Sequence, residues 1–388
     1  MRRHFRRPKV FFTWSGAGVV SLFFLFVFYS VPDFSIFSGE SPVIQEGKKV
    51  KEENNDVRST HALTPPAVKA LYMSACGVAT PSIRARIEKL LNETELNSVI
   101  IDIKDATGTI SFVSSDPRFA TLNGKGCRTK DMREYIEKLH GKGVYVIGRI
   151  SVFQDPLYVK KHPETAVRRL SDGGIWSDRK GLHFIDVGAR EYWPHVVDLA
   201  KEAYALGFDE INFDYIRYPS DGNMEDIAFT RSGEVKKADM LKEFFSYLHQ
   251  NISGTGMVTS ADLFGMTTTN EDDLNIGQIL ENTFPYFDYV SPMVYPSHYT
   301  KNFIGLGDPN KHPYEVIFYS MQRGVERAVM ASTSPDKLRP WIQDFDYGGN
   351  YGEEEVRAQI NAVNDVGLSS WMLWDPSNRY TEGALFEE

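Results

Sequence analysis

From residue 66 onward, short apolar, β-branched runs alternate with segments whose apolar residues recur at helical spacing. The runs are Val68–Ser74, Ser98–Lys104, Val144–Ile150, Ile211–Arg217, Met257–Asp262, Tyr289–Tyr295, Leu338–Asp344 and Ser370–Trp374. Each has the length and near-continuous hydrophobicity of a strand covered on both faces. The seventh is the weakest, because Pro340 has no N–H to give to a ladder. Helical periodicity appears over Ile83–Leu91, Met132–Leu139, Val196–Ala205, Met240–Leu248, Ile317–Ala328 and Val356–Val366. Gly143, Gly207, Gly256 and Gly367 each stand shortly before a strand, where a helix C-cap belongs. Eight buried strands with helical crossovers predict the α/β class and a closed (β/α)8 TIM-type barrel over residues 66–388. An open doubly wound sheet would normally show fewer strands and a phosphate-binding glycine turn. Two connections are long: Asp105–Thr129 after the second strand, and Ser151–Gly188 after the third, with a short apolar piece at Leu182–Val187. On a barrel, such insertions build the substrate groove at the C-terminal face.

The first 65 residues follow different rules. A basic head, residues 1–9, carries Arg2, Arg3, Arg6, Arg7 and Lys9. Residues 10–31 are apolar with small or weakly polar interruptions, long enough to cross a bilayer as one helix. Positive charge ahead of it predicts a cytoplasmic N-terminus and an extracytoplasmic body. A cleaved signal peptide is the competing reading, and Phe28-Tyr29-Ser30-Val31-Pro32 is a poor cleavage site, which favours an uncleaved anchor. Residues 32–65 lack apolar periodicity and predict a disordered tether.

The chain carries a formal charge of −9 although its head is basic, so the body is more acidic still. That argues against nucleic acid as a partner. Its 19 Tyr, 25 Phe and 6 Trp suit a large core and also stacking on sugar rings. The two cysteines, Cys76 and Cys127, are too few for a metal knuckle. An extracytoplasmic location lets them pair, and burial apart is the alternative. No zinc spacing, Walker loop or dinucleotide motif is present, so neither a metal nor a cofactor is expected.

In a barrel the strand ends converge on one mouth, and here nearly every end is polar or aromatic. In chain order they are Tyr72 with Ser74; Asp102 with Lys104 and Asp105; Arg149 with Ser151; Asp214 with Arg217 and Tyr218; Asp262; Tyr295 with His298; Gln343 with Asp344 and Asp346; and Trp374 with Asp375. Histidines do not converge from adjacent strands, so a metal-dependent deacetylase-like hydrolase lacks its ligand set. Paired carboxylates are the better match, as glycoside hydrolysis needs a general acid and a nucleophile or base. In Ile211-Asn212-Phe213-Asp214-Tyr215-Ile216-Arg217-Tyr218-Pro219, alternation puts Asn212, Asp214 and Ile216 on one face, and Pro219 ends the run. Asp214 is the expected nucleophile or base, kept ionised by Arg217 and Tyr218; a structural Asp–Arg pair is the plain alternative. Asp262, on the next strand and within carboxyl-pair distance, is the expected general acid; capping the turn before Gly265 is its plain alternative. Asp102 and Lys104 share a face and should form an inward salt bridge that orders the mouth, with Arg149 serving Asp214 in the same way. Tyr295, Trp374 and Asp375 are expected substrate contacts, Trp374 rather than Trp371 facing the groove. His298 is a weak acid–base candidate, with a surface-loop histidine as the plainer reading.

The span from Val68 to Trp374 resembles a glycoside hydrolase family of bacterial extracytoplasmic TIM-barrel proteins, formerly a domain of unknown function. Five segments carry the resemblance: Leu96–Asp105, Gly143–Ile150, Val152–Pro156, Gly173–Trp176 and Gly207–Pro219. It implies a barrel distantly similar to α-amylase-like hydrolases, with the strand-four carboxylate, Asp214 here, as nucleophile. Where related barrels often place a Glu acid on strand five, this chain has Asp262. The expected function is cleavage of an extracytoplasmic polysaccharide. A barrel of the cell envelope that binds glycan without cleaving it is the alternative.

Overall fold

The computed structural model describes residues 61–120 and 126–387. The basic head, the apolar run of residues 10–31 and the tether up to residue 60 lie outside them. Eight parallel strands close into a barrel in chain order: β1 (Lys69–Met73), β2 (Ser98–Lys104), β3 (Tyr145–Ser151), β4 (Glu210–Asp214), β5 (Val258–Phe264), β6 (Tyr289–Met293), β7 (Trp341–Gln343) and β8 (Trp371–Trp374). Closure is made by β8 on β1, with Ala70 opposite Met372. All eight expected strands are present. β7 is trimmed to three residues because it starts only after Pro340.

The helices are α1 (Ala75–Ala79), α2 (Pro81–Glu93), α3 (Pro117–Ala120), α4 (Met132–His140), α5 (Pro156–Lys161), α6 (Trp193–Leu206), α7 (Lys237–Ile252), α8 (Pro313–Met330) and α9 (Glu353–Asp365). The β5–β6 crossover holds only short 3-10 turns among the described residues. Pro81 and Pro313 open α2 and α8, where a missing N–H costs nothing. Gly207 closes α6 at φ 125°, a conformation that a side chain would resist. Among the described residues no helix is long and apolar enough to cross a membrane.

Two apolar layers hold the barrel. An outer core packs the helices on strand residues such as Val99, Ile101, Val146, Phe213 and Trp371. An inner layer of Ala70, Tyr72, Ile100, Ile147, Trp341 and Met372 fills the barrel itself. The N-terminal end is plugged by Glu210, which accepts from Arg339 at 2.8 Å and from the Tyr145 hydroxyl at 3.1 Å. Residues 61–65, at the end of the expected tether, pack on this same end. The Ala62 N–H donates to Asp209 at 2.6 Å, and His61 stacks on Tyr204 with ring centres 3.8 Å apart.

At the opposite, C-terminal end, a disulfide joins Cys76 in α1 to Cys127, tying the loop after β1 to the long loop after β2.

Candidate active site

β4 leaves the ladder at Asp214 rather than running on to Arg217, and Tyr215, not Pro219, ends it. Tyr215 has a φ of 52°, a conformation that costs a bulky residue about 1–3 kcal/mol and is typically held where function requires it. The kink turns the Tyr215 N–H onto Asp214 Oδ1 at 2.5 Å and stops the alternation that would have continued to Arg217.

A single guanidinium organises the mouth. Arg149, on β3, lies opposite Asp102 on β2 and Asn212 on β4. Its Nη1 donates to Asp102 Oδ1 at 2.7 Å and its Nη2 to Asp214 Oδ2. Its Nε has no hydrogen-bond partner and stands 3.9 Å from Asp262 Oδ2. Burial opposes the Arg149 charge, but Asp214 and Asp102 outweigh it and hold the group firmly cationic. The guanidinium also lies over the Trp374 ring, 5.0 Å from its centre. Asp102 sits behind, its Oδ2 accepting from the Tyr72 hydroxyl at 2.5 Å. Burial raises its pKa against the pull of Arg149 and Tyr72.

Asp262 follows on β5, adjacent to β4, and is 1% exposed. Its Oδ1 accepts from Asn212 Nδ2 and from Trp341 Nε1, both at 2.8 Å. Burial, then the neighbouring Asp214 charge, push its pKa well above the ordinary carboxylate value; Arg149 and the two hydrogen bonds oppose them and lose. So two carboxyl groups on neighbouring strands border one guanidinium, and one of them is driven toward its neutral form.

Both line a cavity of about 460 Å³ together with Arg149, Arg217, Tyr295 and Trp374. Six expected site residues therefore meet. Arg217 does not bind Asp214; its guanidinium lies between the rings of Tyr215 and Phe264, 4.8 and 4.7 Å from their centres. Arg149 takes the partnering role expected of Arg217 and Tyr218. Tyr218 lies elsewhere: past the kink it is fully buried, with its hydroxyl 2.7 Å from Ser232 Oγ and its ring edge-on to Phe229. Lys104 is also misplaced by simple alternation. The β2–β3 register shifts between Asp102 and Lys104, so Lys104 faces away from the mouth. It pairs with Asp155 at 2.5 Å and donates to the Tyr192 hydroxyl at 2.9 Å, leaving Asp102 to Arg149. Asp375 is buried at the edge of a neighbouring cavity of about 980 Å³ that shares Tyr295 and Trp374. The exposed His298 also lines the cavity that holds Asp214 and Asp262. Trp371 is fully buried in the outer core, and Trp374 faces the groove.

Sequence reasoning did not single out Asn212 and Trp341 as site residues. Asn212 had a signal, an amide two positions before Asp214 on the same face. Trp341 had none beyond its position after Pro340. Among the described residues no group of three or more His, Cys, Asp or Glu is arranged to hold a metal ion.

Fold and family together define the class, a (β/α)8 glycosyl hydrolase. A family profile described as "Putative glycosyl hydrolase domain" matches residues 70–380, and the chain belongs to that family. No curated protein matches the chain. Among solved structures it is similar to a hypothetical protein from Ruminiclostridium thermocellum, 30% identical, over 53% of this chain and 98% of that one, with a TM-score of 0.45. It is also similar to the PgaB (BpsB) glycoside hydrolase domain from Bordetella bronchiseptica, 15% identical, over 83% of this chain and 99% of that one, with a TM-score of 0.57. The latter likeness is one of fold.

Proposed function

We propose that the barrel hydrolyses glycosidic bonds of a polysaccharide outside the cytoplasmic membrane, with Asp214 as nucleophile and Asp262 as general acid. The observation that carries this reading is the neutral bias of Asp262 beside the ion-paired Asp214, on adjacent strands and at one cavity. Asp262 gives its proton to the leaving glycosidic oxygen as Asp214 attacks the anomeric carbon, forming a glycosyl ester. Asp262, now a carboxylate, takes a proton from water, whose oxygen attacks the anomeric carbon and frees Asp214. Strand neighbours stand about 5 Å apart, which favours retention over inversion. Arg149 orients Asp214 and balances its charge, and Trp374 and Tyr295 offer faces on which a pyranose can pack.

The test is reducing-end release by the purified protein from cell-wall and exopolysaccharide preparations. Release by the wild-type chain and its loss in Asp214→Asn are expected. Release that survives in Asp214→Asn refutes the nucleophile assignment, and glycan binding with no release favours a non-catalytic binding barrel.

The location belongs to the same proposal. The basic head and the apolar run of residues 10–31 support a single-pass anchor with its N-terminus in the cytoplasm. Alkaline carbonate extraction of cells expressing the full chain should leave it in the membrane pellet; recovery in the wash refutes the anchor.

A further inference from the structure

The insertion after β3 walls a second cavity of about 340 Å³ beside the catalytic one. Lys180, Tyr215, Arg217 and His298 line both, so the two form one continuous groove. On one wall is Gln154, only 4% exposed, whose Nε2 donates to Asp178 Oδ2 at 3.1 Å. Asp178 in turn accepts the N–H groups of Lys180 and Leu182 on its other oxygen, at 2.9 and 2.8 Å. A carboxylate can only accept, so the amide nitrogen of Gln154 must face it and the amide oxygen is the free end. That oxygen is buried and has no hydrogen-bond partner. A buried acceptor left unpaired is costly, and this one lines a cavity next to the reacting carboxyls.

The rest of the cavity offers the complementary groups. Arg217 uses Nη1 on Tyr218 O and Ser220 Oγ, while its Nε and Nη2 have no partner among the described residues. The ammonium of Lys180 has none either. The donors of Arg217 and Lys180 therefore stand free at the boundary between the two cavities, and the lone acceptor lies buried in the wall of the second. A sugar ring answers both needs, since one hydroxyl can donate to Gln154 while others accept from Arg217 and Lys180. The carboxylates of Asp178 and Asp221, the latter paired with Arg179 at 3.0 Å, share the cavity and balance the charges of Lys180 and Arg217, so the lining matches an uncharged unit.

We infer that this cavity is a sugar subsite for the uncharged unit adjoining the cleaved bond, with Gln154 as the residue that reads its hydroxyl pattern. The position of the bond rests on the glycosidase reading; the binding of sugar does not.

The test is calorimetric titration of the full chain carrying Asp214→Asn with cellohexaose, xylohexaose, chitohexaose and, as the anionic probe, hexagalacturonate. At least one neutral hexamer should bind. Gln154→Met, which keeps length and removes the acceptor, should weaken that binding roughly tenfold. Lys180→Ala, at an exposed side chain, should weaken it in the same direction. Wild-type affinity in Lys180→Ala, or in a folded Gln154→Met, overturns the inference, as does binding of hexagalacturonate alone or of no hexamer. Hexamer binding that depends on Gln154, without turnover by the wild-type chain, leaves the subsite standing and removes the catalytic reading. Turnover with unaltered affinity in both variants does the reverse.

Discussion

Asp262→Asn separates two descriptions of the same carboxyl group, and the structure sets a different magnitude for each. If Asp262 is held neutral, an amide of the same shape keeps what the fold uses. Its oxygen still accepts from Asn212 Nδ2 and Trp341 Nε1, both at 2.8 Å. Its nitrogen takes the place of Oδ2, which stands 3.9 Å from Arg149 Nε, too far for a hydrogen bond that could be lost. The stability change should then stay within about 1 kcal/mol. If Asp262 were instead an ionised partner of Arg149, breaking that buried pair would cost about 3–5 kcal/mol. Urea denaturation of the two proteins at neutral pH distinguishes these values. Catalysis should respond in the opposite way. Losing a positioned general acid slows the reaction roughly 10²–10⁴-fold, or about 3–5 kcal/mol of barrel-held transition-state stabilisation. Read in kcat/KM, which reports the first step, the loss should fall on substrates with alkoxide leaving groups and shrink for dinitrophenyl glycosides, whose leaving group departs without a proton. The high-pH limb of kcat/KM, where wild-type Asp262 loses its proton, should vanish in the variant. An equal loss for good and poor leaving groups, or a destabilisation of several kcal/mol, refutes the reasoning.

Three further outcomes follow from the same structure. Asp214→Asn should abolish turnover of dinitrophenyl and natural substrates alike, because bond formation rather than protonation is removed; a steady-state assay showing loss only on the natural substrate would count against it. Replacing Cys76 and Cys127 with serine opens a loop of 51 residues and should lower stability by about 4 kcal/mol on the chain-entropy estimate, read as a fall in Tm; an unchanged Tm contradicts it. Asp344 is pushed up to about 7 by burial, against the hydrogen bonds from Thr381. The folded chain therefore holds a proton that the unfolded chain releases near 3.8, so this stabilisation is complete below that pH and is lost as pH rises to about 7. The gap corresponds to roughly 4 kcal/mol at most, and Asp344→Asn should flatten the decline of Tm between pH 4 and 7; a slope equal to wild type refutes it.

What could be read from the residues was whatever obeys a period. The eight strands follow from apolar runs, and the convergence of Asp214 and Asp262 follows from alternation on two neighbouring strands. The errors arise where the backbone leaves its period. A register shift after Asp102 turns Lys104 from the mouth to Asp155, and the positive φ of Tyr215 carries Tyr218 into the core. Neither event has a composition marker, since no glycine occupies either position. The partners of Asp262 were hidden for another reason. Asn212 and Trp341 reach it from 50 and 79 residues away, so only closure of the barrel brings them together. That dependence has a physical consequence. The raised pKa of Asp262 depends on β4, β5 and β7 together keeping it from water, so its acidity is a property of the closed barrel and not of any one segment. Loosening β7, the shortest of these strands at three residues, should let water reach the carboxyl and lower its pKa before the fold itself is lost.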